Sequence, residues 1–183
     1  LMKKQNVIIV GGGTAGWMCA AALSKLIGNR LNITLVESEQ IGTIGVGEAT
    51  VPTFLTLHRL LKIDEADFLS KVQGTIKLGI SFENWRKIGH QYIHSFGFTG
   101  QGCWAAGFQH FWLKGKQLGV SEDYGDYTPE LKAAKENKFG FLKEAPLHYA
   151  YHIDAGRYAT FLRHLAEREG VTRIEGIVQE VGQ

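Results

Sequence analysis

Apolar positions near both ends of this chain alternate between strand-length and helix-length blocks. Val7-Ile8-Ile9-Val10 is a continuous run of strand length. After it Ala15, Met18, Cys19, Ala22, Leu23 and Leu26 recur at helical spacing, so a strand feeding a helix is predicted, with Thr14 as its cap. Ile33-Thr34-Leu35-Val36 predicts a second strand, ended by Glu37. Towards the other end, Asp154 can cap a helix that places Tyr158, Phe161, Leu162, Leu165 and Ala166 on one face, and Gly170 stops it. Residues 171–181 are again rich in β-formers. Strand–helix–strand pieces therefore bracket a different kind of middle.

That middle begins with two short helices. Phe54, Leu57, Leu60 and Leu61 share one helical face, and residues 64–72 turn Phe68, Leu69 and Val72 inward. Residues 76–85 and 92–98 alternate as strands do, interrupted by turns at Gly97, Gly100 and Gly102. From residue 114 to 143 the composition turns polar. Tyr124-Gly125-Asp126 and Thr128-Pro129 mark turns, and residues 131–137 read as an exposed helix on a mobile surface.

Composition narrows the class without choosing a function. The chain has 183 residues, 44% hydrophobic and 21% charged, enough to bury a core as one domain or one domain with an insertion. A formal charge of +2 gives no field that would recruit nucleic acid or an anionic membrane. No apolar stretch approaches the roughly 20 residues that span a bilayer, so a cytoplasmic protein is expected. Cys19 and Cys103 stand apart, outside any C-x-x-C pattern, and read as two unlinked thiols.

Glycines supply the first chemical signal. Gly11, Gly13 and Gly16 follow the first strand in G-x-G-x-x-G spacing. The first allows a tight turn, the second lets a pyrophosphate reach the backbone, and the third lets helix and strand pack closely. Together with Thr14 and Ala15 they open a helix whose free N–H groups face phosphate. Glu37 stands where an acid holds a ribose hydroxyl and disfavours the 2′-phosphate of NADP. This fingerprint alone does not separate FAD from NAD.

The remaining candidates lie further on. A second glycine-rich loop, Gly42-Thr43-Ile44-Gly45-Val46-Gly47-Glu48-Ala49-Thr50-Val51-Pro52, suits a backbone that passes close to a ring and holds its shape. Lys77, flanked by Ile76, Leu78 and Ile80, is expected to have its pKa lowered by desolvation. The pairs His90/His94 and His148/His152 are each four apart, but a metal pair at that spacing needs a helix, and the local pattern reads as strand. No metal site is expected.

Five segments, in order, resemble the flavin-dependent tryptophan halogenases: residues 10–18, the loop 44–52, the Lys77 segment ending in Asn84-Trp85-Arg86, Tyr92-Ile93-His94-Ser95-Phe96-Gly97, and Tyr151-His152-Ile153-Asp154-Ala155-Gly156. The resemblance implies an α/β, Rossmann-like FAD-binding fold with an inserted substrate-side region. Residues 1–50 and 145–183 would supply the FAD-binding elements and residues 51–144 the insertion. It implies that reduced FAD from a separate flavin reductase, with O2 and chloride or bromide, generates hypohalous acid. Lys77 would direct that acid at an electron-rich aromatic substrate, tryptophan or another indole, through a haloamine or a hydrogen bond. Ile44, Gly45, Val46, Gly47, Glu48 and Ala49 would form the strap against the flavin, with Pro52 at its substrate end. His94 and Phe96 would sandwich the indole. For Glu48, a gating role and an ordinary acid at a helix start stay equally open.

The same resemblance marks what is missing. The family's later W-x-W-x-I-P motif, the acid that partners the lysine and the halide site have no counterpart here. The chain is therefore expected to be an N-terminal portion that does not halogenate alone. A flavin monooxygenase and a noncatalytic FAD-binding fragment are the alternatives, and the oligomeric state, a homodimer included, is not set by the sequence.

Overall fold

The computed structural model describes residues 3–41, 47–141, 143–144 and 146–182. In chain order its elements are β1 (Gln5–Val10), α1 (Thr14–Ile27), β2 (Leu31–Glu37), β3 (Gly47–Ala49), α2 (Phe54–Leu60), α3 (Glu65–Val72), β4 (Thr75–Lys77), β5 (Gly79–Glu83), β6 (Gln91–Ser95), α4 (Phe108–Gln117), α5 (Pro129–Lys135), β7 (Ala150–Asp154), α6 (Ala155–Arg168) and β8 (Thr172–Glu175). They fall into two compact units, Leu1–Thr75 with Tyr151–Gln183, and Ile76–Ala150.

In the first unit, β1 and β2 pair in parallel from Gln5 opposite Leu31 to Val10 opposite Val36. β2 then pairs in parallel with β8, Thr34 opposite Thr172 and Glu37 opposite Glu175. The order β1-β2-β8 brings the last strand beside the second. This is the Rossmann-like arrangement expected from the two ends of the chain. α1 and α6 pack on each other. α6 starts as predicted, with Asp154 accepting the Arg157 backbone N–H at 2.8 Å.

The inward face of α1 differs from the expected one. Trp17, Ala20, Ala21 and Ser24 are buried, whereas Ala15, Cys19 and Leu26 are exposed. Both sets have helical spacing, and close packing against α6 selects the one carrying small residues at its centre. Thr14 is the first helical residue, and Gly13 takes the cap position with no side-chain bond.

An aromatic core forms between α2, α3 and α6. Phe68, Tyr158 and Tyr151 are almost fully buried, and His58 joins them at 5% exposure. Leu60, expected inside, is exposed, because its turn of α2 faces away from this cluster. The Asp64 side chain caps α3 by accepting the Asp67 N–H at 2.8 Å.

In the second unit β5 and β6 form an antiparallel hairpin, Gly79 opposite Ser95 and Glu83 opposite Gln91. Its turn is closed by the Gly89 N–H donating to Asn84 Oδ1 at 2.7 Å. Residues 108–117, for which the sequence predicts no element, are helical, held by the Trp112 indole donating to the Glu122 carbonyl at 2.9 Å. Two expectations need correction here or nearby. α5 is not an exposed helix, since Glu130 and Leu131 are buried. The β-rich 171–181 stretch in the first unit yields a strand only over Thr172–Glu175.

Candidate functional site

A cleft of about 950 Å³ opens in the first unit at the C-terminal ends of β1 and β2. Gly11, Gly13, Thr14 and Ala15 form one wall, Glu37 lies at the tip of β2, and Glu48 reaches it from β3. The turn is built as the glycine spacing requires. Gly11 has φ +111°, and its N–H donates to the Val36 carbonyl at 2.8 Å, which ties the turn to the end of β2. A methyl group on Gly16 would stand 1.9 Å from the Gly11 carbonyl oxygen, so helix and turn touch backbone to backbone there. Gly16 therefore packs rather than lines. At Gly13 a methyl would meet nothing within 4 Å, leaving the backbone open to a ligand beside the α1 N-terminus.

These features fit a dinucleotide. The cleft offers bare backbone N–H groups for a pyrophosphate and a carboxylate one strand away for a ribose. Arg163, Arg173 and Val178 also line it. Neither arginine was among the sequence candidates, because both lie more than a hundred residues from the glycine turn and carry no local motif.

Gly47, Glu48 and Ala49 form β3, antiparallel to β7 and opposite Asp154, Ile153 and His152. Gly47 and Ala49 do not line the cleft, and Ile44, Gly45 and Val46 lie outside the described residues. Pro52 precedes α2 in the first unit, its carbonyl accepting the Leu55 N–H at 3.1 Å.

The second unit brings together Lys77 and Phe96. Lys77 is 8% exposed, unusual for a lysine, and its ammonium lies 5.3 Å from the centroid of the Phe96 ring. Burial lowers its pKa below the ordinary lysine value, the direction expected from its apolar neighbours. Phe96 continues the line of β6, its N–H donating to the Leu78 carbonyl at 2.9 Å. His94, two residues earlier on the same strand face, sits opposite Ile80 and is exposed.

Beside Gly97 stands a buried acid that the sequence did not flag. Glu130 Oε1 accepts the His148 backbone N–H at 2.8 Å and lies 3.1 Å from His148 Nδ1. Its carboxylate fills the space where a side chain at Gly97 would be. The Thr128-Pro129 pair, read as a turn, is the helix-start signal that places it: Pro129 opens α5 and Glu130 follows.

Similarity to known proteins agrees with this geometry. The chain matches the tryptophan halogenase family over residues 6–183. It is 36% identical to the 7-chloro-L-tryptophan 6-halogenase KtzR of Kutzneria sp., the match covering 96% of this chain and 38% of that protein. Among solved structures it resembles Xcc4156, a flavin-dependent halogenase from Xanthomonas campestris, at 58% identity and a TM-score of 0.94, covering 98% of this chain and 36% of that one. BrvH, a flavin-dependent halogenase from Brevundimonas sp. BAL3, is similar at 36% identity and a TM-score of 0.87, covering 100% and 37%. The chain belongs to the tryptophan halogenase family. It spans less than two-fifths of the length of these relatives.

Proposed function

We propose that this chain supplies the FAD cleft and the halogen-directing lysine of a flavin-dependent halogenase acting on an indole. Reduced FAD, delivered by a separate flavin reductase, supplies with O2 the two-electron oxidation that turns chloride or bromide into hypohalous acid. Gly11, Gly13, Thr14 and Ala15 bind the pyrophosphate, Glu37 takes the adenosine ribose, and Glu48 approaches from β3. The substrate commitment stops at an indole. KtzR is a tryptophan halogenase by name, whereas the names of Xcc4156 and BrvH specify no substrate.

The carrying observation is the buried Lys77 against Phe96. Free hypohalous acid oxidises many side chains, so selectivity requires one positioned amine beside the aromatic ring to be halogenated. A lowered pKa serves both routes open to that amine. Unprotonated, Nζ forms an N–halogen bond as hydroxide leaves, and the hydroxide takes the proton that the amine gives up to become water. The ring carbon then attacks the halogen, the N–halogen bond breaks, and the proton lost from that ring carbon restores the amine. Protonated, it donates a hydrogen bond that makes the hydroxyl of hypohalous acid a better leaving group. His94 and Phe96 supply faces for an indole, and Pro52 closes the strap. Lys77 fixes which carbon receives the halogen.

Lys77→Ala tests this in the gene product that carries this sequence, with a flavin reductase, bromide and a panel of indoles. Brominated product should fall at least about 100-fold while consumption of reduced flavin continues, as expected for loss of a group that acts only in the halogen transfer. Undiminished bromination would overturn the assignment. An oxygenated product without bromination would point to a flavin monooxygenase.

A further inference from the structure

The acid at the tip of β2 is held by more than its own strand. Glu37 Oε1 accepts from Arg173 Nε at 2.5 Å, and Oε2 accepts from the Trp17 indole N–H at 3.2 Å. Arg163 Nη1 lies 3.8 Å from Oε1. α1, α6 and β8 thus converge on one carboxylate, and all four side chains line the same cleft. The carboxylate also lies against the bare Cα of Gly12. With a donor on each oxygen the plane of the group is fixed, and each oxygen keeps a second acceptor position.

Arg173 is itself enclosed. Besides Glu37 it donates to Glu39 at 2.9 Å and to Glu175 at 2.6 Å. An arginine beside the ribose-binding acid is ordinarily the group that accommodates a 2′-phosphate. Here its Nε and Nη2 are turned onto three carboxylates, which outnumber the two arginines at this end of the cleft.

Resting on the FAD reading of the cleft, we propose that Arg173 and Trp17 are positioning residues that aim Glu37 at an unphosphorylated ribose 2′,3′-diol, and that Glu39 and Glu175 keep Arg173 from recruiting a 2′-phosphate. The clamp explains why an arginine and an acid stand together without conferring affinity for a phosphorylated ribose. It also gives Trp17 a use beyond packing, since only its ring nitrogen reaches the cleft acid.

Calorimetric titration of the purified gene product that carries this sequence with ADP, 2′,3′-dideoxy-ADP and 2′-phospho-ADP tests the clamp, with thermal melting to confirm that each variant folds. Arg173→Met should weaken ADP about tenfold and dideoxy-ADP less than about twofold, because only ADP carries the hydroxyls that an aimed Glu37 receives. Arg173→Lys should recover part of that loss, and it carries the comparison if the methionine variant does not fold. Glu39→Gln with Glu175→Gln should narrow the preference for ADP over its 2′-phosphorylated form by about tenfold as Arg173 is released. Equal weakening of ADP and dideoxy-ADP, or none, would overturn the clamp and leave the FAD reading intact. An unchanged preference in the double variant would overturn the role of the two acids. A native, folded gene product that binds none of the three nucleotides would refute the reading of the cleft and the clamp with it.

Discussion

Acidification should destabilise the first unit through His58. The imidazole lies among Phe54 and Phe68, each with ring centroids 4.4 Å away, and its Nε2 shares a hydrogen bond of 3.1 Å with the Tyr158 hydroxyl. Burial drives its pKa from 6.5 down to about 4 and pushes that of Tyr158 up. Glu65 accepts from the hydroxyl of Tyr151, another ring of this cluster, at 2.7 Å. Because the unfolded chain binds a proton on this histidine at higher pH than the folded chain does, stability from this group is complete above pH 6.5. It declines as pH falls from about 6.5 towards 4. The loss is about 2 kcal/mol by pH 5 and approaches about 3 kcal/mol below the folded pKa. Urea unfolding of the native chain and His58→Gln between pH 7.5 and 5.0 reads this directly. Native stability should fall by about 2 kcal/mol more than that of the variant across that window, whatever the two differ by at neutral pH. Parallel curves for the two proteins would refute the reasoning.

Two further substitutions probe the scaffolds. Gly16→Ala places a methyl 1.9 Å from the Gly11 carbonyl oxygen, a backbone atom that cannot rotate away, and should destabilise the first unit by roughly 3 kcal/mol in urea unfolding. Glu130→Ala strips the acceptor from the His148 N–H and empties the space behind Gly97; calorimetric unfolding should show a loss of about 2 kcal/mol, with Glu130→Gln retaining part of the interaction.

What the sequence revealed tracks how local each signal is. β1, the glycine turn, β2 and the Asp154 cap depend on residues a few positions apart, so pattern alone places them. The face of α1 does not, because two stripes with the same period compete and the partner helix α6, far along the chain, decides between them. α4 was hidden for a similar reason. Its central turn carries aromatic and polar residues with Gly115, and the Trp112 contacts to Glu122 and Tyr124 appear only after the chain folds back. At the candidate site, Gly11, Glu37, Lys77 and Phe96 were legible from motif. The groups that hold them, Arg173 at Glu37 and Glu130 behind Gly97, were not, because a supporting residue carries no spacing signature and is known only by what it touches.

The same distinction bears on how such a chain tolerates its long excursion. The cleft needs Glu37 from β2 and Arg173 from β8, residues separated by 136 positions and by the whole of the second unit. Closing a loop that long costs little more than closing one half its length, about 0.6 kcal/mol per doubling. Against that increment stand the parallel register of β2 with β8, the Gly176 N–H donating to the Glu37 carbonyl at 2.8 Å, and the Arg173 hydrogen bonds to Glu37, Glu39 and Glu175. The sheet therefore closes with contacts of its own, and what is inserted between β4 and β7 is free to vary in sequence without loss of the cleft. The hairpin bearing Phe96 likewise keeps its shape through contacts of its own, from the Asn84 turn to the Glu130 strut. Under the proposed function, nucleotide recognition and halogen direction rest on separately supported scaffolds, so substitutions that tune one need not disturb the fold of the other.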